Sequence, residues 1–410
     1  MPTRSSKACA IAVLVGAIHV AQAHTDEHDA IPDVPGARVS AALAATSLTA
    51  SAKLPSQALP GYLMLGDPGI DHRGFALEHG SIGLGYRLGP TWGAELALGA
   101  HGSDPVHVEA AWLQARGRST AVDWTLGAGR QSPSLGAVMG EVGHFDRFGL
   151  MPLAKQAMSD GDWIEDGAEL GLRHPIGEAD GAIDIGLWSG RMFPGGAAAE
   201  VAPSLHGGLN WDTEESGDIS LDAFVAQLRP TGRGSRFASV NGGHSHSAPR
   251  CDASLAEVVC FDGRSRIAGL SAQWQAPNWP VTVTGAVMWR KERGTLQSRD
   301  GEGQYSANNR GDWLQASWRF AAAWELGLRH ERLMAEQSLT GAGAQLVANE
   351  AGLGSYTPQR RTAAMLGWNL TEWCDVRAEA GRETAGPQGA RFAALRLLLR
   401  WGRAFASPGS

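Results

Sequence analysis

Between Gly242 and Gly263 the chain reads GGHSHSAPRCDASLAEVVCFDG. His244 and His246 stand one residue apart, and Cys251 and Cys260 follow with eight residues between them. Imidazole nitrogens and thiolates are the donors that zinc prefers. Two cysteines at this spacing also suit a disulfide-closed loop. The histidines remain candidates for weak divalent-cation binding, helped by a carboxylate such as Asp252 or Glu257; surface histidines with no ligand are the plainer reading. A second donor-rich stretch is HTDEHD, in which His24 and His28 stand among three carboxylates, Asp26, Glu27 and Asp29. Solvated chain is its alternative. No cofactor is indicated beyond weakly bound zinc.

Which chemistry applies depends on the compartment. Residues 1–23 have the form of an export signal. Arg4 and Lys7 precede the apolar run Ala8–Val20, and Ala21-Gln22-Ala23 has the small-x-small pattern of a cleavage site. The run is too short to span a bilayer as a helix. Loss of the signal removes Cys9 and takes the formal charge from −7 to −9 with the departure of Arg4 and Lys7. Nucleic acid is therefore not an expected partner, since it calls for a basic face. In an oxidising compartment a Cys251–Cys260 bridge is favoured over a thiolate zinc site.

The elements that position these residues show a period of two. In Thr371–Glu383, Cys374, Val376, Ala378 and Ala380 share one face, and Asp375, Arg377 and Glu379 the other. Trp324–Glu331 and Asp312–Phe320 behave likewise. The pattern recurs in segments of about ten residues along most of the chain, as a membrane barrel requires. Tight connections alternate with longer ones, the sorting expected of periplasmic turns and outer loops. Trp92, Trp211, Trp274, Trp279, Trp324, Trp373 and Trp401 fall near the tight-turn end, where an interfacial belt of amphipathic rings belongs. The expected fold is all-β: one antiparallel up-and-down transmembrane barrel of about sixteen strands in the outer membrane of a Gram-negative bacterium. The expected layout is a signal at 1–23, a flexible periplasmic extension at 24–60 and the barrel at 61–410. Gly61–Gly66 is the candidate first strand, and Cys374 reads as a small apolar residue near a turn.

A charged, water-facing lumen follows. Glu169, Arg173, Arg319, Arg329, Arg377 and Glu379 are among its expected lining residues, with Glu95, Glu109, Asp123, Asp184, Glu325, Arg396 and Arg400. Arginines are denser in the last third and acids in the first, which predicts a transverse field. The long connection from Gln131 to Glu165 has two readings. Folded inward, it brings Glu141, His144, Asp146, Arg147 and Asp162 to a constriction where charge selects ions; folded outward, it packs on the rim.

Several stretches, among them LGAGRQSPSLGAVMGEVGHFDRFGLMPLAKQAM, DWIEDGAELGLR, VTGAVMWRKERGTL and WELGLRHERL, resemble a group of porin-like outer-membrane proteins described as zinc-regulated and loosely similar to phosphate-selective porins. The resemblance covers most of the chain from Gly61 on. It implies a single-chain barrel without a plug domain and a link to zinc or another divalent metal. In the family's His-rich loop segment, this chain keeps His144 and Asp146 as candidate metal donors. The expected function is passive passage of small solutes or metal ions, with outer-membrane lipids as surroundings and a homotrimer as a common assembly of such barrels. The alternatives are a surface-binding barrel with a closed lumen and an outer-membrane hydrolase. No spacing marks a nucleophile–base set, so no enzymatic activity is expected.

Overall fold

The computed structural model describes residues 31–57, 59, 74–102, 105–136, 145–159, 163–193, 200–213, 215–236, 251, 258–353 and 357–406. The strands of the first half are β1 (Gly36–Ala50), β2 (Gly74–Leu88), β3 (Trp92–Ala100), β4 (His107–Ser119), β5 (Val122–Gln131), β6 (Glu165–Ile176), β7 (Ala179–Trp188), β8 (Ala202–Thr213) and β9 (Gly217–Leu228). Those of the second half are the short β10 (Arg233–Arg236), then β11 (Val258–Gln275), β12 (Val281–Gln297), β13 (Glu302–Ala321), β14 (Trp324–Thr340), β15 (Gln359–Thr371), β16 (Cys374–Ala385) and β17 (Gln388–Ala406). Two helices of about two turns each accompany them, α1 (Leu153–Ser159) and α2 (Ala344–Glu350).

Each strand pairs antiparallel with its sequence neighbour, except that β9 pairs β11 and the short β10 adds to the outer end of β11. β1 pairs with both β2 and β17, so the sheet closes as a barrel of sixteen strands. Closure pairs each of the sixteen strands on both sides across the girdle, as a hydrocarbon environment demands, while β10 and the end of β14 past Leu333 extend beyond that ring on the outer side.

The first strand departs from the sequence reading. It lies at Gly36–Ala50, inside the segment expected to be a flexible extension, and the alternative Gly61–Gly66 falls outside the described residues. β1 escapes a binary reading because Ala, Ser and Thr occupy both its faces. Two of the longer connections that the alternation predicts, Glu292 to Gly311 and Thr384 to Ala390, are shorter in the structure. β12 and β13 join through Ser298–Gly301, and β16 and β17 through Gly386-Pro387, because the flanking strands continue past the apolar girdle. Lys291, Arg293 and Gln297 of β12 and Gln304, Asn308 and Arg310 of β13 make the outer face polar there, since a strand above the membrane meets water on its outer side, while Leu296, Tyr305 and Ala307 face an apolar cluster inside. The export signal lies outside the described residues.

The girdle follows from the alternation. Ile82, Leu84, Leu96, Leu113, Ile183, Ile185, Leu205, Leu270, Leu314, Leu328 and Leu395 are exposed on the outer face, while their strand neighbours point inward. Five of the seven belt tryptophans, Trp92, Trp274, Trp279, Trp373 and Trp401, are exposed at the short-turn end. There Trp324 stacks on Trp368 with ring centroids 5.3 Å apart. Leu328 lies four residues above Trp324, roughly 10 Å along a tilted strand and so near mid-bilayer. Leu328→Arg is expected to lower barrel stability by about 2–4 kcal/mol, read from urea unfolding in lipid vesicles; the same substitution at exposed Phe405, beyond the girdle, is expected to change it far less.

At the other end, Val259, Phe261, Leu296, Tyr305 and Val347 form a small apolar cluster beneath α2. Arg233 stacks 4.8 Å above the Phe261 ring and pairs with Glu292 at 3.1 Å. Cys251 and Cys260 are joined by a disulfide, which ties the long connection before β11 to the barrel. Cys374 is a free thiol, half-buried beside its turn.

Candidate functional site: a loop clamped across the lumen

The connection from β5 to β6 folds inward and follows the inner wall. Glu169 on β6 accepts hydrogen bonds from the Ser134 amide and hydroxyl at 3.0 and 2.7 Å. Gly136 then passes so close to Asp222 on β9 that a Cβ there would overlap the Asp222 side chain. Phe145 packs edge-on against His79 of β2 at 5.6 Å. Residues 146–151 cross β14 to β17, and α1 packs on β12, β13 and β14 with all seven of its residues buried.

Arginines of the wall hold this loop through its carbonyls. Arg377 donates to Asp146 O at 2.6 Å, and Arg396 to Asp146 O and Phe148 O at 3.0 and 3.1 Å. Arg329 donates to Leu150 O, Arg361 to Met151 O at 2.7 Å, and Arg290 to Ala157 O at 2.7 Å. Carboxylates of the same wall hold its amides: Gly149 N–H donates to Glu379 and Leu153 N–H to Glu331, both at 2.7 Å. Irregular backbone inside a barrel needs partners for each buried polar group, and the wall supplies them. The charges also compensate one another. Arg329 donates to Glu331 at 2.9 Å and to Asp146 at 3.1 Å, Arg147 to Glu325 at 2.8 Å, Arg361 to Glu383 at 3.0 Å and Arg396 to Glu78 at 2.7 Å.

The local sequence explains the arrangement. Arg290-Lys291-Glu292, Arg329-His330-Glu331 and Arg377-Ala378-Glu379 each put an arginine and a glutamate two residues apart, hence on one inward face. Glycines make room for the loop between them. A Cβ at Gly311 would lie 2.5 Å from Ala154 Cβ, and one at Gly327 would lie 3.2 Å from Phe148. Apolar residues fill the space that remains: Phe148 and Leu150 pack with Leu48, Leu54, Met365 and Phe392. Leu153, Ala157 and Met158 pack with Met288, Trp313 and Leu333. A second segment, after β1, joins them. Ser56 Oγ donates to Glu383 at 3.0 Å and Ser56 O accepts from Gln156 at 3.2 Å.

The opposite wall, β3 to β9, is acidic. Glu95, Glu169 and Asp184 face inward and are buried. Asp184 accepts from Arg173 at 2.8 Å. His206 bridges two carboxylates, Nδ1 to Asp184 at 2.8 Å and Nε2 to Asp222 at 3.0 Å. Both ring nitrogens face acids, so neither is turned toward a hydroxyl as a nucleophile's base would be. The transverse arrangement expected from the sequence is thus present in a specific form: acids on one arc, and on the other arginines already spoken for by the loop.

Of the predicted lining residues, Arg147, Arg329, Arg377 and Glu379 meet in the clamp, and Glu169 and Arg173 lie on the acidic arc. Arg319 is exposed at the short-turn mouth. Asp146, expected as a metal donor, is instead an ion-pair partner of Arg329. His24, His28, Glu141, His144, Asp162, His244 and His246 lie outside the described residues. The alternation of Trp324–Glu331 already placed Glu331 on the inward face; sequence reasoning missed Arg290, Arg361 and Glu383, and the repeated Arg-x-Glu triplet was the signal for the first of them.

The closed barrel with its apolar girdle defines this chain as an outer-membrane β-barrel of the Gram-negative type. Among solved structures it is similar to OmpT of Vibrio cholerae in its trimer form, with a TM-score of 0.54 and 10% identity over 90% of this chain and 100% of that one. It is also similar to OprB of Pseudomonas putida (TM-score 0.50, 11% identity, 89% and 94% covered). A third is the outer-membrane channel DcaP of Acinetobacter baumannii (TM-score 0.50, 7% identity, 89% and 96% covered). At such identities the likeness is one of fold. No protein-family model and no curated protein matches the sequence.

Proposed function

We propose that the barrel is a passive channel for small hydrophilic solutes with a preference for cations. The carrying observation is the asymmetry of the lumen. Arginines of β12 to β17 are neutralised by glutamates and by loop carbonyls, whereas the far arc gathers four buried carboxylates, Glu95, Glu169, Asp184 and Asp222, around two cations, Arg173 and the His206 ring that donates to both Asp184 and Asp222. A narrow path along that arc carries net negative potential, and a ring of acids in a low-dielectric wall concentrates cations. Transport is diffusion down a gradient, without chemistry.

Planar-bilayer recording tests this. Discrete conductance steps are expected, with a reversal potential in a KCl gradient that marks cation preference. Glu95→Gln with Asp222→Asn is expected to reduce that preference without abolishing conductance. A folded barrel that stays silent would favour instead the surface-binding reading. Within the cations, we take a divalent metal such as zinc as cargo, on the strength of the sequence resemblance. Uptake of zinc, phosphate and a neutral sugar in a deletion strain separates this from a general pore, which would lose all three alike. We extend the reading to a homotrimer, the form recorded for Vibrio cholerae OmpT.

A further inference from the structure

Outside the clamp, one group of side chains has the composition of a metal centre. His79 is on β2, His101 immediately follows β3, and His107 and Glu109 begin β4. The sequence spreads them widely; the β2–β3–β4 meander brings them together near the outer end of the barrel. His79, His101 and Glu109 are all buried, and each offers one donor atom within 4.8 Å of the other two. His79 Nε2 lies 3.4 Å from Glu109 Oε1, and His107 Nε2 lies 3.5 Å from the same oxygen. His79 Nδ1 and His101 Nε2 are 2.7 Å apart, and the His101 and His107 rings stack at 5.2 Å.

These separations match what an ion needs. Zinc with nitrogen and oxygen ligands at about 2.0–2.1 Å in a tetrahedron sets neighbouring donors about 3.3 Å apart. Both histidine–carboxylate contacts stand near that edge length. His79 can offer an ion only one ring nitrogen, so with Nε2 toward Glu109 its Nδ1–His101 Nε2 hydrogen bond is given up and the His101 ring turns toward the ion.

The backbone is bent to make the group. Between β1 and β2 the register shifts so that Ala44 faces His79 and Ala45 faces Leu77, leaving Glu78 as the extra residue. Between β3 and β4, Ala97 faces Ala110 and Leu98 faces Val108, leaving Glu109 as the extra residue. Such bulges re-aim side chains at the rims of barrels; here one accompanies His79 and the other turns Glu109 inward. Gly99 completes the cradle, because any Cβ at that position would overlap the Glu109 carboxylate.

We propose that His79, His101 and Glu109, joined by His107 after a side-chain turn from its place beside Glu109, form a binding site for one divalent transition-metal cation of zinc's character. Three imidazoles and a single carboxylate select against magnesium and calcium, which require mostly oxygen donors. The site lies beside Phe145, so an occupied centre would brace the point where the inward loop reaches β2. This inference goes beyond the channel reading and stands without it, since binding is measured on the folded barrel whether or not it conducts.

The test uses the untagged full-length barrel in detergent, with heat-modifiable gel mobility as the check of folding. To remove other donors, the starting protein carries His24→Ala, His28→Ala, His244→Ala and His246→Ala. Equilibrium dialysis against Zn²⁺ is expected to give one equivalent per chain, unaffected by excess Mg²⁺ or Ca²⁺. Co²⁺ in place of Zn²⁺ is expected to show the visible absorption of a four- or five-coordinate site. Adding His79→Ala with His101→Ala should abolish the equivalent, and Glu109→Gln should weaken it by at least tenfold. Absence of stoichiometric uptake in the folded starting protein would overturn the proposal. So would uptake that persists in a folded His79→Ala, His101→Ala barrel. Should the His79/His101 variant fail to fold, the cobalt spectrum decides alone: a weak, octahedral-type spectrum refutes the site.

Discussion

Replacing residues 137–159 with a short Gly-Ser linker is expected to raise single-channel conductance several-fold while leaving the barrel folded. Wall and loop are separable in energetic origin. Sixteen strands are held by backbone ladders that the deletion does not touch, whereas the loop is held by side chains reaching inward from β12 to β17. Removing it takes Phe148, Leu150, Leu153 and Met158 out of the lumen, together with the backbone they carry. Water then hydrates Arg329, Arg361, Arg377, Arg396 and their glutamates, so the charges lose their partners in the loop without being left dry. The same deletion is expected to weaken cation preference, because those arginines then face the path. Bilayer recording of the deletion beside the intact chain gives both numbers, and preserved heat-modifiable mobility certifies the fold. Equal conductance of the two proteins would mean that the loop does not narrow the path.

Arg329→Ala is the largest single-residue effect expected. The guanidinium meets Glu331, Asp146 and the Leu150 carbonyl, and it lies 4.4 Å over the Phe148 ring. It is fully buried. Removing one member of such a buried set costs about 3–5 kcal/mol, since the carboxylates left behind are desolvated and short of a partner. That loss falls on loop docking, because Arg329 joins three alternate loop positions, Asp146, Phe148 and Leu150, to β14. The expected readouts are a lowered temperature for the heat-modifiable transition, new protease cleavage within residues 132–164 and noisier channel currents. Arg329→Lys keeps the charge but not the planar set of donors, and is expected to recover only part of the loss. Wild-type protease resistance in Arg329→Ala would refute the clamp.

How far the sequence reached depended on where its physics is binary. At the girdle one face meets lipid and the other a polar interior, so Leu326, Leu328 and Arg329 declare their faces, and the barrel and its strand number are legible. Where both faces meet similar surroundings, the contrast fades. β1 is nearly all small residues, with its inward Leu48 packed under Phe148 and Leu54, so a strand closing the barrel looked like linker. Above the girdle the outer face meets water, so apolar residues no longer alternate outward and Glu292 to Gln297 reads as loop. The clamp was half visible. Arg377 and Glu379 read as lumen charges from their alternation, but Arg361 and Glu383 belong to strands whose role depends on a loop arriving from far away in the chain. Likewise His79 and Glu109 become neighbours only through two bulges, which no period of two announces.

The pairing of Gly36–Ala50 with the final strand has a consequence for biogenesis. The seam that completes the cylinder joins the earliest described strand to the latest, so no partial product lacks raw hydrogen-bonding margins. Such maximal separation along the chain makes ring completion a late and slow event, and until then both margins invite pairing with other chains. A machine that shields the leading margin while the trailing strand is delivered is therefore built into the requirements of this topology.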